Sequence, residues 1–361
     1  MNVAVIGTGL IGTSVALAAA RAGDRVRGFD ADPGVLGKAA GLAGFEAHGS
    51  LEACAAGSDL VLVGTPLGAI VEAVARSLEA SGGAPVTDVG SVKGTVVDEV
   101  ARRVPSDEGG ARFVGGHPMS GSERTGPEAA SAALLDDAVW VLTPGAETEP
   151  SAVDAVEGWV RRIGARPVRM EPDRHDRLVA FVSHLPQLAS TALMGAASEE
   201  EADEPELLLL AAGGFRDLTR LAGSSPPLWR DILLANPEAL ARAVDRYVDG
   251  LQRLRDAVLA GRAEEVEAAL EDAKRARLSL AAKPAVKAGV ALLLVPVPDR
   301  PGVLAELTAT LGGRQVNIED LQIVHSPEGG RGTVHLTVAA ADAGLAGEAL
   351  AARGFESVRL A

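Results

Sequence analysis

Two groups of residues in this chain have the types and spacing of a reaction centre. The first is Gly7-Thr8-Gly9-Leu10-Ile11-Gly12, directly after the apolar run Asn2–Ile6 and before the alanine-rich stretch 13–21. In a strand–turn–helix setting the three glycines have separate jobs. Gly7 permits the tight turn, Gly9 lets the backbone approach a pyrophosphate, and Gly12 allows the helix to pack closely on the strand. The pyrophosphate would sit on the helix N-terminus, held by unpaired N–H groups and the helix dipole. Roughly 20 residues on, a second strand ends at Asp30, whose carboxylate can accept from both ribose hydroxyls, and this points to NAD. Thr65-Pro66 follows a further strand on the edge where the cofactor should run, although an ordinary turn would look the same.

The second group holds the candidates for proton transfer. His117, in Phe113-Val114-Gly115-Gly116-His117-Pro118, is expected just past the carboxyl end of a strand, where open α/β sheets bind ligands. A histidine there can act as base towards a hydroxyl whose carbon loses hydride; the alternative is a histidine that caps a loop. Ser91, in Asp88-Val89-Gly90-Ser91-Val92-Lys93, is expected on the same edge, as a helix N-cap, as a hydroxyl orienting the histidine and the reacting alcohol, or as both. Ser183-His184-Leu185-Pro186-Gln187 reads as a proline-broken helix with polar groups among apolar neighbours. Arg216 and Arg220 are four apart, hence on one helical face, where two guanidinium forks suit a dicarboxylate; a salt-bridged surface helix is the other reading. His48, His325 and His335 are expected to be structural or exposed, and no metal-ligand cluster is visible.

These residues need a scaffold, and 361 residues suffice for two or three domains. Residues 1–170 alternate β-branched runs with helical stretches, the pattern of a doubly wound parallel sheet, with strands expected near 2–6, 25–30, 59–64, 85–89, 111–115, 138–142 and 166–169. Residues 171–282 show only helical spacing, interrupted by the acidic stretch 199–206, expected as a solvated loop. The linker Lys283-Pro284-Ala285-Val286-Lys287 precedes residues 288–361, whose strand–helix–strand–strand–helix–strand order is the ferredoxin-like βαββαβ arrangement.

The bulk composition narrows the setting. A formal net charge of −15 argues against nucleic acid, so small molecules are the expected partners. The longest apolar run, near 290–297, is too short to span a bilayer, so no membrane partner is expected. The chain opens on a strand without the features of a signal peptide, and Cys54 is the single cysteine, so cytoplasm is the expected compartment.

Taken together, the motifs resemble the prephenate/arogenate dehydrogenase family along essentially the whole chain. The resemblance is carried by Gly7 to Ser14, Gly90-Ser91-Val92-Lys93, Gly115 to Gly121, His175-Asp176 with Ser183-His184-Leu185-Pro186, and Gly214 to Arg220 with Trp229-Arg230-Asp231. It implies that His117 contacts the C4 hydroxyl of a cyclohexadienol ring, that Ser91 assists, and that Arg220 binds the ring carboxylate, which leaves as carbon dioxide. Ser183, His184, Gln187, Arg216 and Trp229 are the further substrate-binding candidates. Prephenate-using members often carry a second histidine where this chain has Gln187. The helical segment is expected to build a homodimer.

The last unit resembles an ACT domain, a module that binds amino acids at domain interfaces. Asp299-Arg300-Pro301-Gly302 would turn into its first helix and Val316-Asn317-Ile318 begin its second strand, making Asp299, Gly302, Asn317 and Ile318 the regulatory candidates. Tyrosine, the pathway end product, is the implied effector; a purely dimerising module is the alternative. Two competing functions for the chain are a 2-hydroxy-acid dehydrogenase of the helical-dimer type and a non-catalytic sensor of NAD and amino acids.

Overall fold

The computed structural model describes residues 1–121, 124–281, 290–325 and 331–360. The linker expected at 283–287 lies outside the described residues. The chain divides into two compact units, residues 1–196 with 219–246, and residues 197–218 with 247–361.

The first unit is built on eight strands: β1 (Asn2–Ile6), β2 (Arg25–Phe29), β3 (Glu46–Ala47), β4 (Leu60–Val63), β5 (Val86–Asp88), β6 (Phe113–Pro118), β7 (Val139–Pro144) and β8 (Arg166–Arg169). Their order is β3-β2-β1-β4-β5-β6-β7-β8. Strand β4 is apolar throughout, and β1 apart from its first residue, because both faces are covered. Val3, Val5, Leu60 and Leu62 pack into one core, while Ala4, Ile6, Val61 and Val63 pack into another on the opposite face. This is the expected doubly wound sheet with one addition: β7 runs antiparallel to β6 before β8 returns parallel to β7.

The order reverses between β1 and β4, which creates a topological switch point beside the glycine turn. Gly7 has φ +90°, and a Cβ there would lie 2.6 Å from the Gly64 carbonyl carbon. A Cβ on Gly12 would come within 1.9 Å of the Gly7 oxygen. Both positions therefore exclude a side chain, the first through conformation and contact, the second through contact alone. Gly9 faces open space and precedes the helix Leu10–Arg21.

After β8 the chain turns helical, but proline does not break it where the sequence suggested. Pro172–Val179 is α-helical, Ala180–His184 forms a π-turn, and Leu185–Glu201 continues as α-helix with Pro186 in its first turn. Proline lacks an N–H and its ring crowds the carbonyl four residues back; the wider π-turn accommodates both without ending the helix. The acidic stretch is likewise not all loop, since the helix reaches Glu201. By length and composition 172–201 could cross a bilayer. Its Asp176, however, bonds to residues 93 and 94 of the sheet unit.

The second unit contains the helix Ala263–Ala281 and a four-stranded antiparallel sheet: β9 (Val290–Pro298), β10 (Ile318–His325), β11 (Arg331–Ala339) and β12 (Val358–Leu360), ordered β10-β11-β9-β12. The helices Val303–Gly312 and Ala343–Ala351 complete βαββαβ. Alternate residues Ala291, Leu293, Val295 and Val297 of β9 enter its core with Leu307, Leu311, Ala346 and Leu350. Gly302 takes φ +88° immediately before its first helix, Arg300 pairs with Glu306 at 2.9 Å, and Asn317 donates to Glu319 at 2.6 Å one residue before Ile318 opens β10.

Candidate active site

The carboxyl edge of the sheet carries two neighbouring sets of polar groups. At the switch point, Asp30 directly follows β2 and turns back on the glycine loop. Its Oδ2 accepts from the Thr8 amide at 2.7 Å and the Thr8 hydroxyl at 3.2 Å, and its Oδ1 accepts from the Asp32 amide at 3.0 Å. Thr13 donates to the Thr8 carbonyl at 2.7 Å. Leu10 and Ile11 are half-buried in the first turn of the helix. Gly64 and Thr65 follow β4 against Gly7, and the buried Thr65 hydroxyl has no partner among the described residues. Pro66 precedes the helix Leu67–Ala80. These residues fit a dinucleotide: an open helix N-terminus at Gly9, a carboxylate at the end of β2 and an unused hydroxyl on the facing strand end.

His117 lies inside β6 rather than past its end, because antiparallel pairing with β7 extends that strand to Pro118. It remains at the carboxyl end, half-buried, and its Nδ1 is 2.8 Å from Nε2 of His175. His175 in turn places Nδ1 2.7 Å from Oδ1 of Asp176. The Asp176 carboxylate also accepts from the backbone amides of Lys93 and Gly94, each at 2.8 Å. It thereby caps the helix Gly94–Arg103 from a distant part of the chain.

Beneath His117 is a buried ion pair. Asp88 and Lys93 are both inaccessible to solvent and bonded to each other. Lys93 Nζ also donates to the Gly116 carbonyl at 2.9 Å. Asp88 accepts from the Gly116 amide at 2.9 Å and the Gly90 amide at 2.8 Å. The pair thus fixes the residues preceding both His117 and Ser91. Ser91 itself is half-buried in a bend three residues before the helix, so it is not the N-cap; Lys93 holds that position.

Burial holds His117 well below its ordinary pKa, and the neighbouring His175, Lys93 and His184 act in the same direction. The imidazole is neutral near pH 7. Burial also pulls Lys93 down, opposed by Asp88 and Asp176. His184 is lowered by burial to about 4, against the opposing pull of Asp176.

The π-turn brings a further wall of side chains into the first unit. His184 is buried, with Nδ1 3.5 Å from the Asn236 amide nitrogen and its ring edge-on to half-buried Trp229. Asn236 donates to the Asp176 carbonyl at 2.9 Å, tying this wall to the histidine chain. Ser183 is half-buried in the same turn. Gln187 is buried; its Nε2 donates to the Leu221 carbonyl at 2.9 Å, and its buried Oε1 has no partner among the described residues. A carbonyl partner can only accept, so it orients the amide.

Arg216 lies within the α-helix Gly213–Thr219 and Arg220 begins the 3-10 turn that follows it directly; both side chains are exposed. Arg216 belongs to the second unit and Arg220 to the first. Lys93, His175 and Asp176 stand in motifs that carry the family resemblance, but no role follows from the sequence for them or for Asp88 and Asn236. Among the described residues, no group of three or more His, Cys, Asp or Glu could hold a metal ion.

Comparison with known proteins agrees along the chain. Residues 15–169 match the family model "Prephenate dehydrogenase, nucleotide-binding domain", 171–272 match "Prephenate dehydrogenase, dimerization domain", and 291–354 match "ACT domain". The prephenate dehydrogenase of Bacillus subtilis is 36% identical over 228 residues, which is 63% of this chain; the match spans 61% of that protein's length. The cyclohexadienyl dehydrogenase of Zymomonas mobilis is 32% identical over 286 residues, covering 77% of this chain and 96% of that protein. Among solved structures, prephenate dehydrogenase from A. aeolicus in complex with hydroxyphenyl propionate and NAD+ superimposes with a TM-score of 0.72 at 31% identity. That match covers 78% of this chain and 98% of that one. By these matches, which cover the sheet unit and the helical segment together, this chain belongs to the prephenate dehydrogenase family.

Proposed function

We propose that this chain catalyses the NAD-dependent oxidative decarboxylation of arogenate or prephenate in tyrosine biosynthesis, in the cytoplasm, with arogenate the preferred substrate. The observation that carries the reading is His117. It is a neutral imidazole on the carboxyl edge of the sheet whose switch point forms the nucleotide cleft. Bound NAD+ supplies the acceptor for the hydride that leaves C4 of the ring.

The remaining chemistry belongs to the chain. His117 takes the proton of the C4 hydroxyl, and Ser91 orients that hydroxyl. Arg220 holds the ring carboxylate until it departs as carbon dioxide, a loss that aromatisation drives. Ser183, His184 and Trp229 line the ring, and Arg216 is the further side-chain candidate. Gly7, Gly9, Leu10, Ile11, Gly12, Thr65 and Pro66 hold the dinucleotide, and Asp30 accepts from its ribose.

Gln187 favours arogenate. Arogenate carries an α-ammonium where prephenate carries a keto oxygen, so the first needs an acceptor. With Nε2 committed to Leu221, the unused group on Gln187 is the acceptor Oε1. A buried acceptor without a partner costs about 1–3 kcal/mol, which an ammonium would recover.

A second copy of the chain is the proposed structural partner, through the helical segment. Leu209 and Leu210 there are 83% and 82% exposed, as for surfaces that bury on association. Tyrosine is the proposed effector of the ACT domain, with Asp299, Gly302, Asn317 and Ile318 at its site. Assays of both substrates with NAD+, following NADH and carbon dioxide together, test the function. One carbon dioxide per NADH, with the higher kcat/KM for arogenate, is expected. NADH without carbon dioxide, from a simple 2-hydroxy acid, would overturn it.

A further inference from the structure

We infer that His175 and Asp176 are positioning residues that fix the tautomer of His117, keeping the proton on its Nδ1 and leaving Nε2 as the free base. The inference rests on reading His117 as the base of the reaction. It starts from Asp176, whose carboxylate is held by three donors. Lys93 N and Gly94 N donate at 2.8 Å from the first turn of a helix, and His175 Nδ1 lies at 2.7 Å. A carboxylate in that position accepts only, and the helix N-terminus favours its negative charge. His175 must therefore carry a proton on Nδ1.

With its ring proton on Nδ1, His175 presents the Nε2 lone pair 2.8 Å from Nδ1 of His117. Two lone pairs cannot face each other at that distance, so His117 donates from Nδ1. Its Nε2 is left unprotonated. An isolated imidazole would exchange between tautomers, and only one of them presents a base to a hydroxyl at that nitrogen.

The same chain stabilises the product of proton transfer. When the hydroxyl proton bonds to Nε2 of His117, the ring becomes a cation with Nδ1–H already directed at the His175 lone pair. The Asp176 charge lies one ring further on. His117 holds that proton and returns it to the phenolate oxygen that decarboxylation leaves at C4, so no net proton is released. Burial of the chain makes this arrangement rigid: His175 is 1% exposed and Asp176 7%.

The test compares His175→Leu, His175→Gln, Asp176→Asn and His117→Asn in the full-length protein. Ring 15N chemical shifts of His117 report the tautomer directly, a readout that a merely structural role would not move. In the unaltered protein near pH 7.5, Nδ1 should be protonated and Nε2 bare. In His175→Leu the acceptor is gone and the two tautomers should mix. In Asp176→Asn the amide can donate to His175 Nδ1 and should invert both rings, an effect known when a triad carboxylate becomes an amide. His175→Leu should lower kcat by roughly 10²–10³, within the range of a positioned acid or base, with NAD+ affinity unchanged. His175→Gln, which restores an acceptor oxygen, should recover at least about tenfold of that loss.

A His117 protonated on Nε2 in the unaltered protein would overturn the inference, as would a His175→Leu variant within about threefold of normal kcat. If His117→Asn is inactive while His175→Leu is not, the tautomer inference fails and the base stands. If His117→Asn is active, the base itself is misassigned.

Discussion

Asp30 Oδ2 accepts the Thr8 backbone amide at 2.7 Å, so the carboxylate at the end of β2 also holds the glycine turn in shape. Two consequences follow for the cofactor. A second negative charge at about 4 Å costs on the order of 4 kcal/mol at an effective dielectric near 20, less where water screens it, so a 2′-phosphate is disfavoured. NAD should exceed NADP by at least about tenfold in kcat/KM. Asp30→Ala should narrow that ratio and also weaken NAD itself, because the Thr8 amide loses its acceptor. Equal use of both cofactors by the unaltered protein would remove Asp30 from this role.

The acid side of the pH profile should be flat further down than an ordinary histidine allows. Burial, with His175, Lys93 and His184 facing it from three elements, keeps His117 unprotonated well below 6.5, while Asp176 and Asp88 are committed to their own donors. kcat/KM should therefore hold between pH 8 and about 6.5 and fall only at lower pH. Stability has the same sign. His117 and His184 are lowered in the folded state, so the unfolded chain binds more protons below about 6.5, and stability is lost as pH falls from there towards 4. Urea unfolding at several pH values measures this; a loss of activity with a midpoint above 7 would contradict the assignment.

Gln187→His should move the kcat/KM ratio towards prephenate by roughly tenfold, equivalent to about 1.4 kcal/mol. A histidine at that position offers a donor when protonated and repels an ammonium. Steady-state kinetics with both substrates gives the answer. An unchanged ratio would place selectivity elsewhere, with Arg216 the next candidate.

Tyrosine at millimolar concentration or below should inhibit the full chain, with a coupling of about 1–3 kcal/mol. A chain ending near Ala281 should lose the response. Activity and melting temperature both indifferent to tyrosine would leave the ACT domain without this role.

The sequence made some of this architecture readable and concealed the rest for a physical reason. Gly7, Gly12 and Asp30 are legible because their contacts are local in pattern: a turn, a helix start and the next strand end. The βαββαβ order of the last unit is legible through its alternating strands. The chain His117–His175–Asp176–Lys93 is not, since its links join residues 58 and 83 positions apart. No periodicity records such pairings. Pro186 misled in the opposite sense, because a local rule about helix ends was overridden by the π-turn before it.

The central claim is that His117 is the base of an oxidative decarboxylation, and turnover of His117→Asn tests it most directly. Measured at saturating NAD+ and arogenate, kcat should fall by roughly 10²–10⁴ with little change in NAD+ affinity. Arg220→Ala, made in parallel, should instead mainly raise KM. A His117→Asn enzyme that keeps near-normal turnover would show that another group removes the proton.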